Sequence, residues 1–450
     1  VLVLGLGRHG GGVEATRFLR SEGAEVRVTD TADRTALAGP AADIEALGGE
    51  VVFGPQDAAL LDDRDLVLAS PAIPFDHPVL QAAAERGIAA TTEINIVLAR
   101  LRAPVVGITG TKGKSTTTAL ITSMLAASGR RVHQGGNIGR PLVARLDAIA
   151  ADDVVVLELS SFQLWWTRRI DRAPHVTVVT NLFPEHLDRH GDMAHYAAAK
   201  RAALDAQGPG DVAVLPADDD AVREAGWWHA GAARRLAWGA GGEVVLEGTT
   251  AVGPFGRADL SRLRLLGPHN LRNALAAAAA TAALLHAPIP AIEAGAAQTE
   301  ALPHRLQGVA EVDGVLYVDD SNSTHPEATR AALAAFARPV LLIAGGKDKG
   351  ADRTGLVEAI DAHVRVLIAI GTTGPALVDA VGAHVAGVCV TGGIEEAVAA
   401  AAARARPGDV VLLSPAFSSL DQYASYAERG DRFQRAVTAL PAPGRPRPVC

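Results

Sequence analysis

Three α/β domains with largely parallel sheets are predicted for this sequence. Short β-branched runs alternate with helical patterns along nearly the whole chain, glycines cluster where strands run into helices, and 450 residues exceed one ordinary core. At ~150 residues per domain, the length alone suggests about three.

In the first segment (1–92), VLVLG (1–5), EVRVTD (25–30) and DLVLAS (65–70) read as buried strands separated by helices. A break near Thr92 and a helical stretch from Glu93 open the second segment (93–300). Its strands are PVVGITG (104–110), DDVVVLELSS (152–161), VTVVTNL (176–182) and DVAVLPA (211–217), followed by a Gly/Thr-rich meander at 239–256 and an Ala-rich helix over 270–286. The third segment (301–450) carries LYVDDS (316–321), PVLLIAGG (339–346), VRVLIAIG (364–371) and DVVLLSPA (409–416). No fixed short repeat relates the three.

Composition narrows the function. A formal charge of -8 argues against non-specific nucleic-acid binding, which needs a basic face. It leaves room for an anionic small-molecule substrate, because a few local cations and helix N-termini suffice. The hydrophobic share of 48% and charged share of 20% are those of a soluble globular protein. The two cysteines, Cys389 and Cys450, stand in no metal or redox spacing, so a reducing cytoplasm is expected. No apolar run approaches the ~20 residues that span a bilayer, so no membrane insertion is expected. The chain starts at Val1 without Met, so a few native residues are expected to precede it, and the Pro-rich tail 441–450 is expected to be disordered.

The sharpest chemical signal is GTKGKST, where the strand PVVGITG meets a helix beginning near Lys114. Backbone N–H groups at such a junction cradle phosphate oxygens, and the helix dipole adds to the attraction. Gly110 and Gly113 let the backbone approach closely, with Thr111, Lys112 and Thr116 completing the loop. Lys114 reaches the β/γ phosphates and the Ser115 hydroxyl takes Mg²⁺. The spacing is not the common one with four residues between the first glycine and Gly-Lys, since Gly107 lies one too far away. It is the G-T-x-G-K-S/T form.

Further stations follow in order: ELSSFQL (158–164), NLFPEHLDRHGDMAHYAAAK (181–200), GPHNLRNALAA (267–277), LPHRLQ (302–307), GGKDKGAD (345–352) and LSPAFSSLDQY (413–423). With the phosphate loop, their joint order resembles the Mur ligase family over essentially the whole chain. The resemblance implies an N-terminal Rossmann-like UDP-binding domain, a central P-loop ATPase-type domain and a C-terminal Rossmann-like domain. It implies an ATP-dependent amide ligase that adds D-glutamate to UDP-N-acetylmuramoyl-L-alanine through an acyl phosphate, in the cytoplasm and as a monomer. ATP and two Mg²⁺ ions are the implied cofactors. Glu158 and Ser115 would hold one ion, and His186 with Lys200, as a carbamate, the second. Asn270 and Asn273 would contact adenine, Arg305 would bind ATP and Asp320 would hold its ribose. Asn137 in GGNIG would contact the UDP-muramoyl peptide. Thr324, Lys349, Ser419 and the backbone near Tyr426 would bind the incoming amino acid. Glu185 stands where the family often has Asp, a change in an outer acid. The pairs Trp165/Trp166 and Trp227/Trp228 read as packing.

Two alternatives stay open. Gly5-Leu6-Gly7-Arg8-His9-Gly10 follows a strand, with Asp30 at the end of the next, which by pattern is a dinucleotide fingerprint. An NAD-dependent oxidoreductase would use it so, but nothing downstream supplies a hydride-transfer site. The same geometry suits a UDP pyrophosphate at Gly7, with Asp30 and Thr31 near uridine. The other alternative is stereochemical. Glutamate-adding members of the family usually read DSKATN, whereas this chain has Asp320-Ser321-Asn322-Ser323-Thr324-His325. Losing the lysine charge beside a dianion would reorganise the pocket, and a branch that adds L-glutamate has a similar D-S-x-S-T-x-P pattern.

Overall fold

The computed structural model describes residues 1–7, 10–139, 141–285, 288–348, 350, 352–389 and 392–440. Lys349 and the tail 441–450 lie outside the described residues, as do Arg8 and His9 of the fingerprint. The chain forms two compact units, Val1–Arg262 with Arg272–Gln298, and Leu263–Leu271 with Thr299–Cys450.

Unit 1 contains a five-stranded and a six-stranded sheet, both wholly parallel. The five strands lie in the order Glu50–Phe53, Arg27–Asp30, Leu2–Leu4, Leu66–Ala69, Ala89–Thr91. The six lie in the order Arg234–Trp238, Val212–Pro216, Val176–Val179, Val105–Thr109, Val154–Glu158, Val132–Gly136. The expected meander is a separate antiparallel sheet of Val245–Glu247, Thr250–Gly253 and Gly256–Asp259. Unit 2 holds a six-stranded sheet in the order Gln307–Val312, Val315–Asp319, Val410–Leu413, Val340–Gly345, Val364–Ile370, Ala386–Cys389. Only its first pair is antiparallel. The α/β class holds.

The strands that the sequence reading did not delimit share one physical property. Glu50–Phe53, Ala89–Thr91, Val132–Gly136, Arg234–Trp238, Gln307–Val312 and Ala386–Cys389 are the two edges of each large sheet. An edge strand is covered less completely, so it needs no continuous apolar run. Glu50–Phe53 has no fully buried residue, whereas all five residues of Val105–Thr109 and of Val154–Glu158 are buried.

This order positions the site. The strand Val105–Thr109 lies between Val154–Glu158 and Val176–Val179, so the carboxyl ends of all three open at one place, where α/β sheets bind ligands. The helix Lys114–Ala127 leaves the central strand, buries Leu120, Ile121, Met124 and Leu125, and packs on the helix Ile289–Gln298. The two backbones come together at Gly295, where a Cβ would stand 2.3 Å from Met124 Cα. Gly295→Ala should force the helices apart and destabilise unit 1 by ~1–3 kcal/mol, an overpacking cost that normally exceeds the gain in helix propensity. Urea unfolding of the variant checks this, and an unchanged midpoint would refute the tight crossing.

Candidate active site

The phosphate loop is held open by its neighbours. Gly113, the N-cap of helix Lys114–Ala127, has φ 84, and a Cβ there would lie 2.5 Å from Asn273 Oδ1. Both conformation and space therefore demand glycine. Asn181, just beyond the strand Val176–Val179, accepts from Lys112 N at 2.8 Å and Thr111 N at 3.2 Å through Oδ1. Its Nδ2 donates to Lys112 O at 3.0 Å, and Thr180 Oγ1 donates to the same carbonyl at 2.7 Å. Thr111 Oγ1 donates to Phe183 O and meets the Tyr196 hydroxyl, each at 3.1 Å. Lys114 Nζ donates to Gly110 O at 3.1 Å and Thr111 O at 2.7 Å. Ser115 and Thr116 stand half-buried in the first helical turn.

The carboxylates and lysines around the loop are unevenly satisfied. Glu158 is 2% exposed, and its Oε1 accepts from Asn137 Nδ2 at 2.8 Å. Its buried Oε2 has no partner. An unpaired buried carboxylate oxygen is costly unless a cation meets it, which fits a Mg²⁺ ligand. Asn137, expected to contact substrate, positions Glu158, and its own N–H donates to Glu158 O at 2.8 Å.

Lys200 is also 2% exposed, within helix Met193–Asp205, and donates to Gly110 O at 2.7 Å. Burial, reinforced by the charge of Lys114, holds its ammonium well below the usual lysine range. His186 sits at φ 56, unusual for a residue with a Cβ. Burial, then Lys200 and Lys114, lowers its pKa. Glu185 pairs with Lys112. Burial would raise the Glu185 carboxyl, but the bond and charge of Lys112, with Lys114, outweigh it. Among the described residues no three His, Cys, Asp or Glu side chains converge on one metal position.

A histidine relay that sequence reasoning missed braces the segment bearing His186. Trp165 Nε1 donates to His195 Nε2 at 3.2 Å, which leaves a neutral His195 its proton on Nδ1. That proton faces His190 Nδ1 at 2.9 Å, and His190 Nε2 then donates to Ser161 Oγ at 2.9 Å. Burial, with His195 next, lowers His190 to about 4, so it stays neutral in this chain. Phe75 stacks on Trp165 at 4.3 Å, and Arg189 donates to Ala72 O at 2.7 Å. Trp165 is thus a positioning residue as well as packing, while Trp166 and Trp227 are buried in apolar clusters as expected.

Other expected residues are placed as follows. Asp30 Oδ2 accepts from Leu6 N at 2.9 Å and Gly7 N at 3.2 Å, and Oδ1 from Ala32 N at 2.9 Å, so this carboxylate shapes the glycine turn; Thr31 is exposed beside it. In unit 2, Asn270 Nδ2 donates to Leu266 O at 2.8 Å, and Arg305 is exposed. Asp320 is 5% exposed, with Oδ1 accepting from Leu306 N at 3.1 Å and Oδ2 from Ser414 Oγ at 2.7 Å. Burial raises its carboxyl to about 6. Thr324 Oγ1 meets His325 Nδ1 at 3.3 Å, Ser419 is buried, and Tyr426 is 41% exposed.

Known proteins share this layout. The N-terminal domain of MurD-like Mur ligases matches residues 1–92, the Mur ligase middle domain 108–281, and the Mur ligase glutamate ligase domain 304–417. The UDP-N-acetylmuramoylalanine–D-glutamate ligase of Pelotomaculum thermopropionicum is 38% identical, covering 98% of this chain and 97% of the relative. That of Symbiobacterium thermophilum is 40% identical, covering 94% and 95%. Among solved structures, MurF from Acinetobacter baumannii superposes with a TM-score of 0.62 at 17% identity, covering 92% of each chain. The UDP-N-acetylmuramate–alanine ligase MurC of Thermotoga maritima gives 0.60 at 18%, covering 97% and 98%. At such identities the structures establish the fold alone, whereas the profile matches and the full-length relatives establish kinship: the chain belongs to the Mur ligase family.

Proposed function

We infer that this protein is an ATP-dependent ligase that adds D-glutamate to UDP-N-acetylmuramoyl-L-alanine in peptidoglycan precursor synthesis, acting in the cytoplasm as a monomer. The observation that carries the reading is near full-length identity of 38–40% to proteins named for that reaction, joined to a phosphate loop with its acidic and lysine neighbours in place. Among the described residues no helix is long and apolar enough to cross a membrane.

The chemistry asks mainly for positioning and charge neutralisation. A carboxylate oxygen of the muramoyl alanine attacks the γ-phosphorus of ATP, ADP leaves, and the acyl phosphate is then attacked by the glutamate amine with loss of phosphate. Lys114, held by two loop carbonyls, is poised to exchange them for phosphate oxygens. Mg²⁺, when bound, neutralises phosphate charge and polarises the reacting oxygens. Glu158 and Ser115 would hold one ion, and His186 with a carbamylated Lys200 the second. Carbamylation needs a neutral amine. The lowered pKa of Lys200 makes that form available at lower pH than an ordinary lysine would need.

The substrate reading is tested by ATP-dependent phosphate release from UDP-N-acetylmuramoyl-L-alanine with D- and L-glutamate in parallel and mass identification of the product. Turnover with D-glutamate alone is expected. Turnover with L-glutamate alone would overturn the stereochemistry, and silence with both would overturn the substrate. The lysine reading has its own spectroscopic test. Carbon-13 bicarbonate should give a carbamate resonance in the wild type that Lys200→Gln lacks. Because the proton competes with CO₂ for the amine, the signal should grow as pH rises and vanish on acidification. The same variant should lose at least ~100-fold in kcat, as removal of a charge-stabilising group does. A full-rate Lys200→Gln enzyme would end the carbamate assignment.

A further inference from the structure

Unit 2 buries a cation that has no ion-pair partner among the described residues. Arg429 is 1% exposed, the sole lysine or arginine buried to this degree among the described residues of the unit. It makes no ion pair within 4.0 Å of a described carboxylate, in contrast to Arg432, which pairs with Glu395 at 2.7 Å. Its hydrogen bonds go to neutral groups: Nε donates to Ser321 Oγ at 3.0 Å, and Nη2 to Ser321 O at 3.2 Å and Phe417 O at 3.3 Å. The nearby acids act on it through their charge while accepting hydrogen bonds from other groups. Asp319 Oδ1 accepts from Ser321 N at 2.9 Å, and its Oδ2 is shared by His304 Nδ1 and Gln434 Nε2, both at 2.8 Å. Asp421 accepts from Thr372 N at 3.0 Å, and Glu428 from Ala424 N at 2.8 Å.

The location adds to the imbalance. Arg429 stands in the first turn of helix Tyr426–Thr438, where the helix dipole already presents positive potential. Desolvation lowers its pKa to about 10, against the opposing pull of Asp421, Tyr423 and Asp319. A buried guanidinium with only carbonyl and hydroxyl partners is expensive to maintain. Such a charge is expected where an anion arrives to complete it. The two turns it ties together, at Ser321 and at Phe417, lead directly into Thr324 and Ser419, within the unit whose profile is that of a glutamate ligase domain.

We propose that Arg429 is the fixed charge of the amino-acid pocket, holding the turns 320–324 and 416–419 in one geometry and supplying the positive potential that the carboxylates of incoming glutamate neutralise. The assignment rests on the glutamate-ligase reading above. It makes Arg429 a positioning and specificity-determining residue rather than a catalytic one, since its hydrogen bonds are to protein groups. It also gives the pocket a cation that does not depend on residue 322, where this chain carries Asn322.

Steady-state kinetics on the full chain test it. Arg429→Met should raise KM for D-glutamate at least ~10-fold, while KM for ATP and for the UDP-linked substrate stay within about threefold. Adding Asn322→Lys to that variant returns a charge to the same turn and should recover most of the lost glutamate affinity. A common rise in all three KM values, or no recovery in a double variant that melts like the wild type, would overturn the proposal. If Arg429→Met does not fold, the wild type decides. A buried charge is little screened, so KM for glutamate should change less than about twofold between ~0.05 and ~0.5 M KCl. A rise of fivefold or more would transfer the role to exposed lysines. Wild-type turnover is measured first, so loss of the substrate reading is seen separately; L-glutamate carries the same two carboxylates, and the same arms apply if it is the substrate.

Discussion

Two lysines converge on one carbonyl oxygen, and the candidate site of unit 1 gathers around that meeting. Gly110 O accepts from Lys200 Nζ at 2.7 Å and from Lys114 Nζ at 3.1 Å. Two ammonium groups so close, one of them almost wholly buried, repel strongly in a low-dielectric setting. Burial, reinforced by the charge of Lys114, lowers the pKa of Lys200 well below the usual lysine range. The helix Met193–Asp205 is tied through this lysine to the phosphate loop, and the segment between Asn181 and Lys200 must pass His186 through the left-handed backbone conformation to reach it.

The surrounding hydrogen bonds read as supports for that arrangement. Asn181 fixes both N–H and C=O groups of the loop. Asn137 occupies one oxygen of Glu158 and leaves the other bare. The relay Trp165–His195–His190–Ser161 has a proton direction set by the indole, which donates only. Each support acts from the carboxyl end of a neighbouring strand or the element that follows it. Strand order converts residues roughly 70 positions apart into neighbours of the loop.

That dependence explains what the sequence disclosed. All eleven interior strands of the large sheets were legible, because burial on both faces writes a continuous apolar run; none of the six edge strands was delimited, although Cys389 reads as part of a strand-like run. At the site, the phosphate loop was legible because its chemistry is local: glycines, Lys114 and Ser115 fall within a few residues. Glu158, His186 and Lys200 could be named only through resemblance, since a lone buried lysine or a loop histidine has no spacing rule of its own. Asn181, His190, His195 and Arg429 went unread because their roles consist of hydrogen bonds to distant backbone or side chains. Asp30 shows the opposite limit. Its place at a strand end is what a ribose-binding acid would show, yet its oxygens close the Gly5–Gly7 turn.

Unit 2 poses a similar electrostatic problem. It keeps Asp319, Asp320 and Arg429 buried, and each is engaged by hydrogen-bonding groups on loops from different strands. Asp320, with its carboxyl raised to about 6, is held by Leu306 N–H and Ser414; Asp319 is held by His304, Gln434 and Ser321 N–H. Buried charge of this kind contributes little net stability, because desolvation consumes the Coulombic gain. What it does supply is geometry that an apolar core could not. The turn 320–324 has its backbone direction fixed by carboxylates on one side and a guanidinium on the other.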